Sequence, residues 1–514
     1  MNEQVIPVLV IVAYLAFLLL LGIASNFFFR GTTKDYFVAS HSIGPFLLLM
    51  SIFGTTMTAF ALVGSTGESF RNGIGVYGLM ASWSGLIHSA VFFLVGIKIW
   101  GIGKRYGYVT QVSYFRDRFE SPWLGNLLFP VLVLLVIPYL LVGIIGAGRF
   151  LQTMTAGAFP EAFAATRGGV PPWLTGLVIC CVVLTYVFFG GLRGAVWANT
   201  FQTLVFMGTG LIAFILVAKA LGGPAAASQA VLENAPARLV REGSIGHLQF
   251  LTYCFIPLSV GMFPHLFQHW LTARSAKTFR LTVVAHPICI MIVWVPCILI
   301  GIWAAGQGFK VPPNAVLGAV VNNLVHSPWL SGLLGAGVLA AIMSSLDSQF
   351  MCIGTMFTRD VVVYHLGKDR LGDRQQIWLA RAFIVAIVAI SYWLSQTVFA
   401  GQHVFRLGVW CFSGFASLFP IVFAAVYWRR ATRAGAMASV LVTVAVGGAL
   451  FYNDLRHQGP TAGEHELLIF GMMPVAIIFA SSVLTLIVVS LLTKPPSRQT
   501  IHKFFPQALE GVPA

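Results

Sequence analysis

Thirteen long apolar runs are the feature that most restricts how this chain can fold. They cover most of its 514 residues, and each is about as long as a bilayer-crossing helix, which needs roughly 20 residues. Only 9% of the residues are charged, whereas soluble domains carry about 25%. Because helices satisfy their own backbone polar groups within lipid, these runs predict an all-α polytopic membrane protein. The predicted spans are 5–26, 43–66, 77–101, 124–152, 173–190, 194–221, 248–271, 279–305, 329–357, 375–399, 404–428, 433–452 and 467–493.

The distribution of basic residues predicts the orientation of these spans. If the N-terminus is extracytoplasmic, 22 of the 31 lysines and arginines fall in cytoplasmic segments, as the positive-inside rule requires. The net charge of +15 then follows from topology and from attraction to an anionic inner leaflet, so we expect no nucleic-acid partner. The sequence predicts a multi-pass protein of the cell (inner) membrane with a cytoplasmic C-terminus.

Two of the predicted spans contain residues that interrupt a helix. Gly54 and Thr55 lie midway along 43–66, while Pro257 and Pro264 lie within 248–271. Glycine and proline at membrane depth predict backbone that leaves the helix and frees carbonyl groups to face a ligand. Paired broken helices of this kind are typical of the binding sites of secondary transporters.

Each interrupted span opens a block of five spans, and the two blocks are of nearly equal length. Because five is odd, the second block enters the membrane upside down relative to the first, which predicts a five-plus-five inverted repeat. One helix precedes this repeat and two follow it. The predicted divisions are 1–42 (leading helix and cytoplasmic loop), 43–221 (first repeat), 222–247 (extracytoplasmic loop), 248–428 (second repeat), 429–493 (two trailing helices) and 494–514 (cytoplasmic tail).

The predicted span 329–357 carries an unusual polar cluster. Ser344, Ser345 and Ser348 surround Asp347, whose carboxylate costs roughly 2.5–3.5 kcal/mol to insert at the centre of a bilayer. Hydroxyl and carbonyl oxygens suit a hard cation, which gives one interpretation of the cluster. The other interpretation is a serine-rich helix that packs closely on a neighbour, with Asp347 hydrogen-bonded to other side chains.

Three motifs are similar in order and spacing to those of the sodium/solute symporter family. They read Gly-Gly-Leu-Arg-Gly-Ala-Val-Trp-Ala-Asn-Thr-Phe-Gln at 190–202, Ala-Ala-Ile-Met-Ser-Ser-Leu-Asp-Ser-Gln at 340–349, and Ser-Gly-Phe-Ala-Ser-Leu-Phe-Pro at 413–420, followed by Trp428-Arg-Arg. The resemblance extends over about residues 5–435. It implies a LeuT-like fold and a protein that is not an enzyme but imports a small polar organic solute together with Na⁺ by alternating access.

The resemblance also implies a set of ligands for Na⁺, the coupling ion. Matched by position, they are the carbonyls of Gly54, Met57 and Ala341 and the hydroxyls of Ser344 and Ser345. Around them, the resemblance places Asp347, Ser348 and Asn199. Some relatives carry an aspartate at the position of Asn199, where it helps to hold a second sodium ion. The amide of Asn199 brings no charge, so we expect one sodium ion per solute.

The same resemblance implies a solute site beside the sodium ion. Its candidate residues are Thr55, Thr56, Trp83, His88, Met262, Phe263, His265 and Ser413. The sequence leaves neutral, zwitterionic and small anionic solutes open. Two alternative functions also remain: a proton-coupled transporter in which Asp347 or His88 titrates, and a solute receptor or sensor that does not transport.

Overall fold

The computed structural model describes residues 3–25, 37, 43–367, 370–456 and 467–505. These residues form helices and two isolated β-bridges, with no extended strand among them. Eleven helices in this part of the chain are long and apolar enough to cross a membrane, and two further pairs of helices qualify as bent spans. The all-α architecture is therefore confirmed, and the described residues form thirteen candidate spans when each bent pair is counted as one.

We number the spans in chain order and use these numbers below. They are Glu3–Ala24 (span 1), Pro45–Thr56 with Phe60–Asn72 (2), Gly75–Tyr106 (3), Pro122–Met154 (4), Pro172–Leu192 (5), Gly194–Ala220 (6), His247–Gly261 with Pro264–Thr272 (7), Ala276–Gly306 (8), Pro328–Leu366 (9), Asp373–Gln396 (10), Val404–Tyr427 (11), Arg433–Arg456 (12) and Pro474–Leu492 (13). Shorter helices outside the spans include Gln111–Arg118, Pro224–Asn234, Val316–Leu324 and Arg498–Phe504.

Span 2 bends by 60° between its two halves. Its first half ends at Thr56, and Met57 adopts an extended conformation with φ −89° and ψ 103°. The second half starts with the Phe60 amide donating to Thr58 Oγ1 at 3.0 Å, which satisfies one of the amides that a helix start leaves free. The Gly and Thr residues in this segment therefore mark a real interruption of the helix.

Span 7 bends by 52° just before Pro264. A 3₁₀-helix, Tyr253–Gly261, leads into the break, and Phe263 is extended with φ −65° and ψ 118°. The helical conformation is disfavoured for a residue that precedes proline, because the proline ring clashes with it. Proline itself suits the first position of the next helix. The ends of the two bent spans meet where the Ile43 amide donates to the Thr272 carbonyl at 3.1 Å.

The bent spans stand first in two successive sets of five, spans 2–6 and spans 7–11, as the predicted inverted repeat requires. Gly191, with φ 55° and ψ −158°, separates spans 5 and 6 within one long helical segment. Residues that carry a side chain rarely adopt a positive φ of this size, so glycine suits this turn. The exact limits of the predicted divisions stay predictions, and residues 26–36, 38–42 and 506–514 lie outside the described part of the chain.

Several predicted span edges differ from the structure, and the two largest differences are at the start of span 13 and the end of span 9. Span 13 begins at Pro474 rather than at 467, because residues 467–473 form a bridge and turn before proline opens the helix. Span 9 continues past 357 to Leu366 through a π-helical segment, Phe357–Val363. Hydropathy alone misses this extension because its Arg359 and Asp360 are charged.

Span 9 forms the centre of the bundle. Every residue from Leu339 to Met356 is buried, and the span packs against spans 1, 4, 5, 6 and 10 and the first half of span 2. Its side chains at 340, 341, 344, 345 and 348 are small, since these residues are alanine or serine. Small side chains let neighbouring helices pack closely against it. The polar cluster found in the sequence is thus buried in protein rather than exposed to lipid.

Candidate functional site

The break in span 2 lies directly against the serines of span 9. Ser344 Oγ donates to the Gly54 carbonyl oxygen at 2.8 Å and also lies 2.9 Å from the Ala341 carbonyl oxygen. In an uninterrupted helix the Gly54 carbonyl would accept from the amide of Thr58, but the break releases it. Three of the five predicted sodium ligands, Gly54, Ala341 and Ser344, therefore converge at one point.

The other two predicted ligands are placed differently. Met57 is the first extended residue after the helix end, so its carbonyl is also released from regular helical bonding. Ser345 Oγ donates to the Ile342 carbonyl at 3.0 Å within its own helix. In the described part of the chain, this is the single hydrogen bond of the Ser345 hydroxyl. Among the described residues, the Ser345 hydroxyl makes no hydrogen bond to span 2.

A glycine is required where span 2 meets span 6. A Cβ added at Gly54 would lie 2.2 Å from Thr203 Oγ1 and 3.6 Å from Ser344 Oγ. Thr203 Oγ1 itself donates to the Met50 carbonyl at 3.0 Å, one turn earlier in span 2. The backbone of span 2 thus approaches spans 6 and 9 closely enough for its carbonyl to serve as a ligand.

Asp347 lies beside this point and is fully buried. Its Oδ2 accepts from Tyr186 OH at 3.1 Å, and its Oδ1 accepts from Ser348 Oγ at 3.0 Å. Among the described residues, no lysine or arginine forms an ion pair with it. Two hydroxyl donors stabilise the carboxylate, yet its charge is not neutralised by a side chain.

Ser348 connects Asp347 to three other helices. Its Oγ accepts from Asn199 Nδ2 at 2.9 Å and lies 3.0 Å from His269 Nε2. His269 Nδ1 in turn lies 3.0 Å from Ser51 Oγ, so the imidazole bridges spans 2 and 9. These bonds fit one pattern: Ser51 donates to Nδ1, Nε2–H donates to Ser348, and Ser348 donates to Asp347.

An aromatic cluster surrounds the break in span 7. The Phe263 ring lies 5.2 Å from Tyr139, 5.1 Å from His265 and 5.6 Å from Phe412, measured between ring centroids. The cluster joins spans 4, 7 and 11. In the described part of the chain, Tyr139 OH, both ring nitrogens of His265 and the hydroxyl of Thr55 are buried without a hydrogen-bond partner. Buried polar groups of this kind call for an explanation, and a ligand is one.

A second ring cluster lies between spans 2, 3 and 8. The rings of His88 and His286 lie 5.3 Å apart, and Phe92 lies 5.0 Å from His286. Thr56 Oγ1 donates to the Phe53 carbonyl at 2.9 Å and lies 3.4 Å from His286 Nε2. The predicted pair Thr56 and His88 is thus brought together by His286.

The remaining candidates face other partners. Trp83 Nε1 donates to the Phe250 carbonyl at 3.2 Å, which draws its indole toward the start of span 7. The carbonyl of Met262 accepts from Gln111 Nε2 at 3.1 Å. Ser413 Oγ donates to the Val409 carbonyl at 2.7 Å within span 11. In the described part of the chain, the polar groups of these three residues are therefore hydrogen-bonded within the protein.

Sequence reasoning passed over Tyr139, Phe412, His286 and Tyr186. His286 could have been found from the sequence, as His88 was, because a histidine in the middle of a membrane span indicates a functional site. The other three are aromatic residues in apolar helices, where most such residues simply pack. Tyr139 and Phe412 are distinguished only by their positions around the break of span 7, and Tyr186 only by its hydrogen bond to Asp347.

Similar solved structures share this architecture. A sodium-coupled sialic acid symporter, in a substrate-bound outward-open state, superposes with a TM-score of 0.74 at 16% identity, covering 96% of this chain and 99% of its own. A nucleobase-cation-symport-1 family transporter in a closed conformation gives a TM-score of 0.56 at 13% identity, covering 91% and 97%. At these identities the likeness shows the fold, and the fold is that of LeuT-like secondary transporters.

The family is shown by the sequence itself. The model of the sodium:solute symporter family matches residues 36–443, so the chain belongs to that family. A sodium/proline symporter of Haemophilus influenzae is 24% identical, over 96% of this chain and 95% of its own. A sodium/pantothenate symporter of Escherichia coli is 25% identical, over 81% and 83%. The chain is therefore a membrane transporter rather than an enzyme, and it couples the movement of a small solute to that of Na⁺.

Proposed function

We propose that Na⁺ binds between the break of span 2 and the serines of span 9, held by Gly54, Met57, Ala341, Ser344 and Ser345. The observation that carries this proposal is the 2.8 Å separation of Ser344 Oγ and the Gly54 carbonyl oxygen. A cation placed between them would replace the hydroxyl proton as the partner of the carbonyl. Neutral hydroxyl and carbonyl oxygens are the ligands that a hard monovalent cation accepts.

Asp347 supports this cation without ligating it. Its carboxylate belongs to the same buried hydrogen-bond network and lacks an ion-pair partner among the described residues. A buried negative charge raises the affinity for a nearby cation because the surrounding dielectric constant is low. The neutral amide of Asn199, which donates to Ser348, occupies the position where some relatives have a carboxylate. One sodium ion per transported solute follows from this arrangement.

The solute binds beside the sodium ion, against the aromatic cluster at the break of span 7. Three residues supply hydrogen-bonding groups that are buried without partners among the described residues: Thr55, Tyr139 and His265. Thr55 directly follows Gly54 in the chain. The rings of Phe263 and Phe412 supply an apolar surface. Such a site fits a small organic molecule with one polar end. The relatives are named for proline and pantothenate, two small organic molecules that each carry a carboxylate.

Coupling follows from the adjacency of the two sites in span 2. Gly54 carries a proposed sodium ligand. Thr55, the next residue, is assigned to the solute site because its hydroxyl is buried without a partner among the described residues. Sodium that holds span 2 against span 9 fixes Thr55 in its binding position, and by linkage the solute then raises sodium affinity by the same factor. Alternating access moves both ligands across the membrane together. In the proposed orientation the N-terminus is extracytoplasmic and the direction is import.

Proton coupling in place of sodium coupling is disfavoured by the family to which the chain belongs, and the one observation in its favour is Asp347, whose charge is uncompensated among the described residues. The carboxylate connects through Ser348 to the imidazole of His269, so groups able to exchange a proton lie in one network. This alternative predicts uptake that follows a pH gradient in the absence of sodium.

Reconstitution of the purified protein into proteoliposomes tests the proposal. A thermal-shift screen against panels of small amino acids, carboxylates and sugars, in NaCl and in choline chloride, identifies a solute that stabilises only with sodium. Uptake of that solute is then measured with an imposed sodium gradient, with an imposed pH gradient and with neither. We expect accumulation only with the sodium gradient. Accumulation with the pH gradient alone would favour the proton.

A further inference from the structure

A basic cavity lies where the C-terminal helix meets the ends of spans 3 and 11. It has a volume of about 400 Å³, and its lining includes four cationic side chains, those of Lys98, Arg105, Arg429 and Lys503. The lining contains no acidic residue. It belongs to neither the proposed sodium site nor the proposed solute site.

The C-terminal helix, Arg498–Phe504, is docked firmly enough to form a wall of this cavity. The Phe504 side chain is 3% exposed, and its ring lies 5.7 Å from that of Tyr114 and 6.4 Å from that of Tyr108. Lys503 Nζ forms an ion pair with Asp117. The wall is therefore made by packing and by charge pairing, not by a chance approach of the tail.

The charges of the cavity are not balanced. Asp117 neutralises Lys503, but in the described part of the chain Lys98, Arg105 and Arg429 form no ion pair with any carboxylate. All three side chains are exposed to the surroundings. An anion bound among these three cations would be attracted by all of them and would offset their mutual repulsion.

An apolar surface continues from the cavity along spans 3 and 11. Lys98 Nζ lies 3.7 Å from the centre of the Tyr427 ring, and Tyr427 OH donates to the Leu94 carbonyl at 2.7 Å. Leu94 is 43% exposed and Phe423 is 45% exposed. Leu94 lies one helical turn before Lys98, as Phe423 lies one turn before Tyr427, so each pair shares one face of its helix. Tyrosine and lysine at helix ends are typical of the membrane–water interface.

We propose that this cavity binds the phosphate headgroup of an anionic phospholipid. The phosphate lies among Lys98, Arg105 and Arg429, and the acyl chains lie along the exposed apolar surface of Leu94 and Phe423. A free phosphate ion would use the same cations but would leave that surface uncovered. The bound lipid fastens the C-terminal helix to spans 3 and 11, because the cavity wall includes Lys503 and Phe504.

The test uses the full-length protein, purified in a neutral detergent, and its unfolding midpoint as ligand is added. The probes are dihexanoyl phosphatidylglycerol, dihexanoyl phosphatidylcholine at the same concentrations, and inorganic phosphate. We expect phosphatidylglycerol to raise the midpoint in a saturable way and the other two to act far more weakly. Inorganic phosphate that matched phosphatidylglycerol would overturn the lipid assignment, as would equal effects of the two lipids.

A triple variant, Lys98→Gln, Arg105→Gln and Arg429→Gln, removes the uncompensated charges. Since the variant loses three cations that would surround one anionic headgroup, phosphatidylglycerol affinity should fall on the order of a hundredfold. The matched control, Lys277→Gln, Arg280→Gln and Arg370→Gln, removes the same charge from exposed positions outside the cavity and should bind like wild type. Equal losses in both variants would overturn the site. The single variant Arg429→Gln, at an exposed position, gives the same comparison if the triple variant does not fold.

Discussion

Ser344 Oγ lies 2.8 Å from the carbonyl oxygen of Gly54, although 290 positions separate the two residues in the chain. One partner is released by a break in span 2, and the other projects from span 9, whose residues from Leu339 to Met356 are all buried. The contact ties the first repeat to the second at the point where the coupling ion is proposed to bind.

Replacing Ser344 by alanine should weaken sodium binding more than replacing Ser345. Ser344 contacts Gly54, whereas Ser345 donates within its own helix. Loss of an interaction with a charged ligand costs about 1.5–3 kcal/mol, so the half-saturating sodium concentration for uptake should rise roughly tenfold or more in Ser344→Ala. Ser439→Ala, which removes a buried serine hydroxyl shared with Ser482 in spans 12 and 13, is the control. Unchanged sodium dependence in the double variant Ser344→Ala, Ser345→Ala would refute the proposed site.

Gly54→Ala should destabilise the protein and impair sodium binding. Its new Cβ would lie 2.2 Å from Thr203 Oγ1, so the helices must separate, which typically costs about 1–3 kcal/mol. Gly208→Ala is the matched control in span 6, because a Cβ there meets no atom of the described residues within 4 Å. Thermal unfolding of both variants, with and without NaCl, measures the difference. Adding Thr203→Ala should restore part of the stability, and a failure to do so would place the cause elsewhere.

Tyr139→Phe should lower solute affinity with little effect on stability. Its hydroxyl is buried without a partner among the described residues, so its removal breaks no hydrogen bond there. One lost hydrogen bond to a solute costs about 0.5–1.5 kcal/mol, which raises the KM for uptake about two- to tenfold. Tyr186→Phe is the contrast, since Tyr186 donates to Asp347 and its loss should lower the unfolding midpoint. A Tyr139→Phe protein with wild-type KM would remove Tyr139 from the solute site.

Asp347→Asn should weaken sodium binding but leave the driving ion unchanged. The amide keeps the shape of the side chain while it removes the buried negative charge next to the cation. Uptake in proteoliposomes should still follow the sodium gradient, with a higher half-saturating concentration. If the carboxylate instead carried a transported proton, the variant would lose all response to a pH gradient that the wild type shows.

The sodium dependence of uptake should be hyperbolic, with a Hill coefficient near 1. Asn199 supplies a neutral amide, held by Ser348, where a second sodium ion would need a carboxylate. Asn199→Asp adds that carboxylate close to Ser348, and a rise in the Hill coefficient would show that a second ion now binds. A Hill coefficient near 2 in the wild type would contradict the one-sodium proposal.

The sequence alone determined the number of spans, the two interrupted helices, the polar cluster on span 9 and the family. Each of these depends on residues that are near neighbours in the chain: about 20 apolar residues for a span, proline or glycine for a break, and three serines beside Asp347 for the cluster. Local chemistry of this kind is written in short segments and survives whatever the rest of the chain does.

Only the tertiary structure decided which side chains meet. It brought Ser344 to Gly54, directed Ser345 to its own helix, drew Trp83 toward Phe250 and gathered Tyr139 and His265 around a break. In a bundle whose helices are apolar on almost every face, hydropathy does not say which face meets which neighbour. Close packing of small residues and a few buried hydrogen bonds fix those faces, and both depend on residues far apart in the chain.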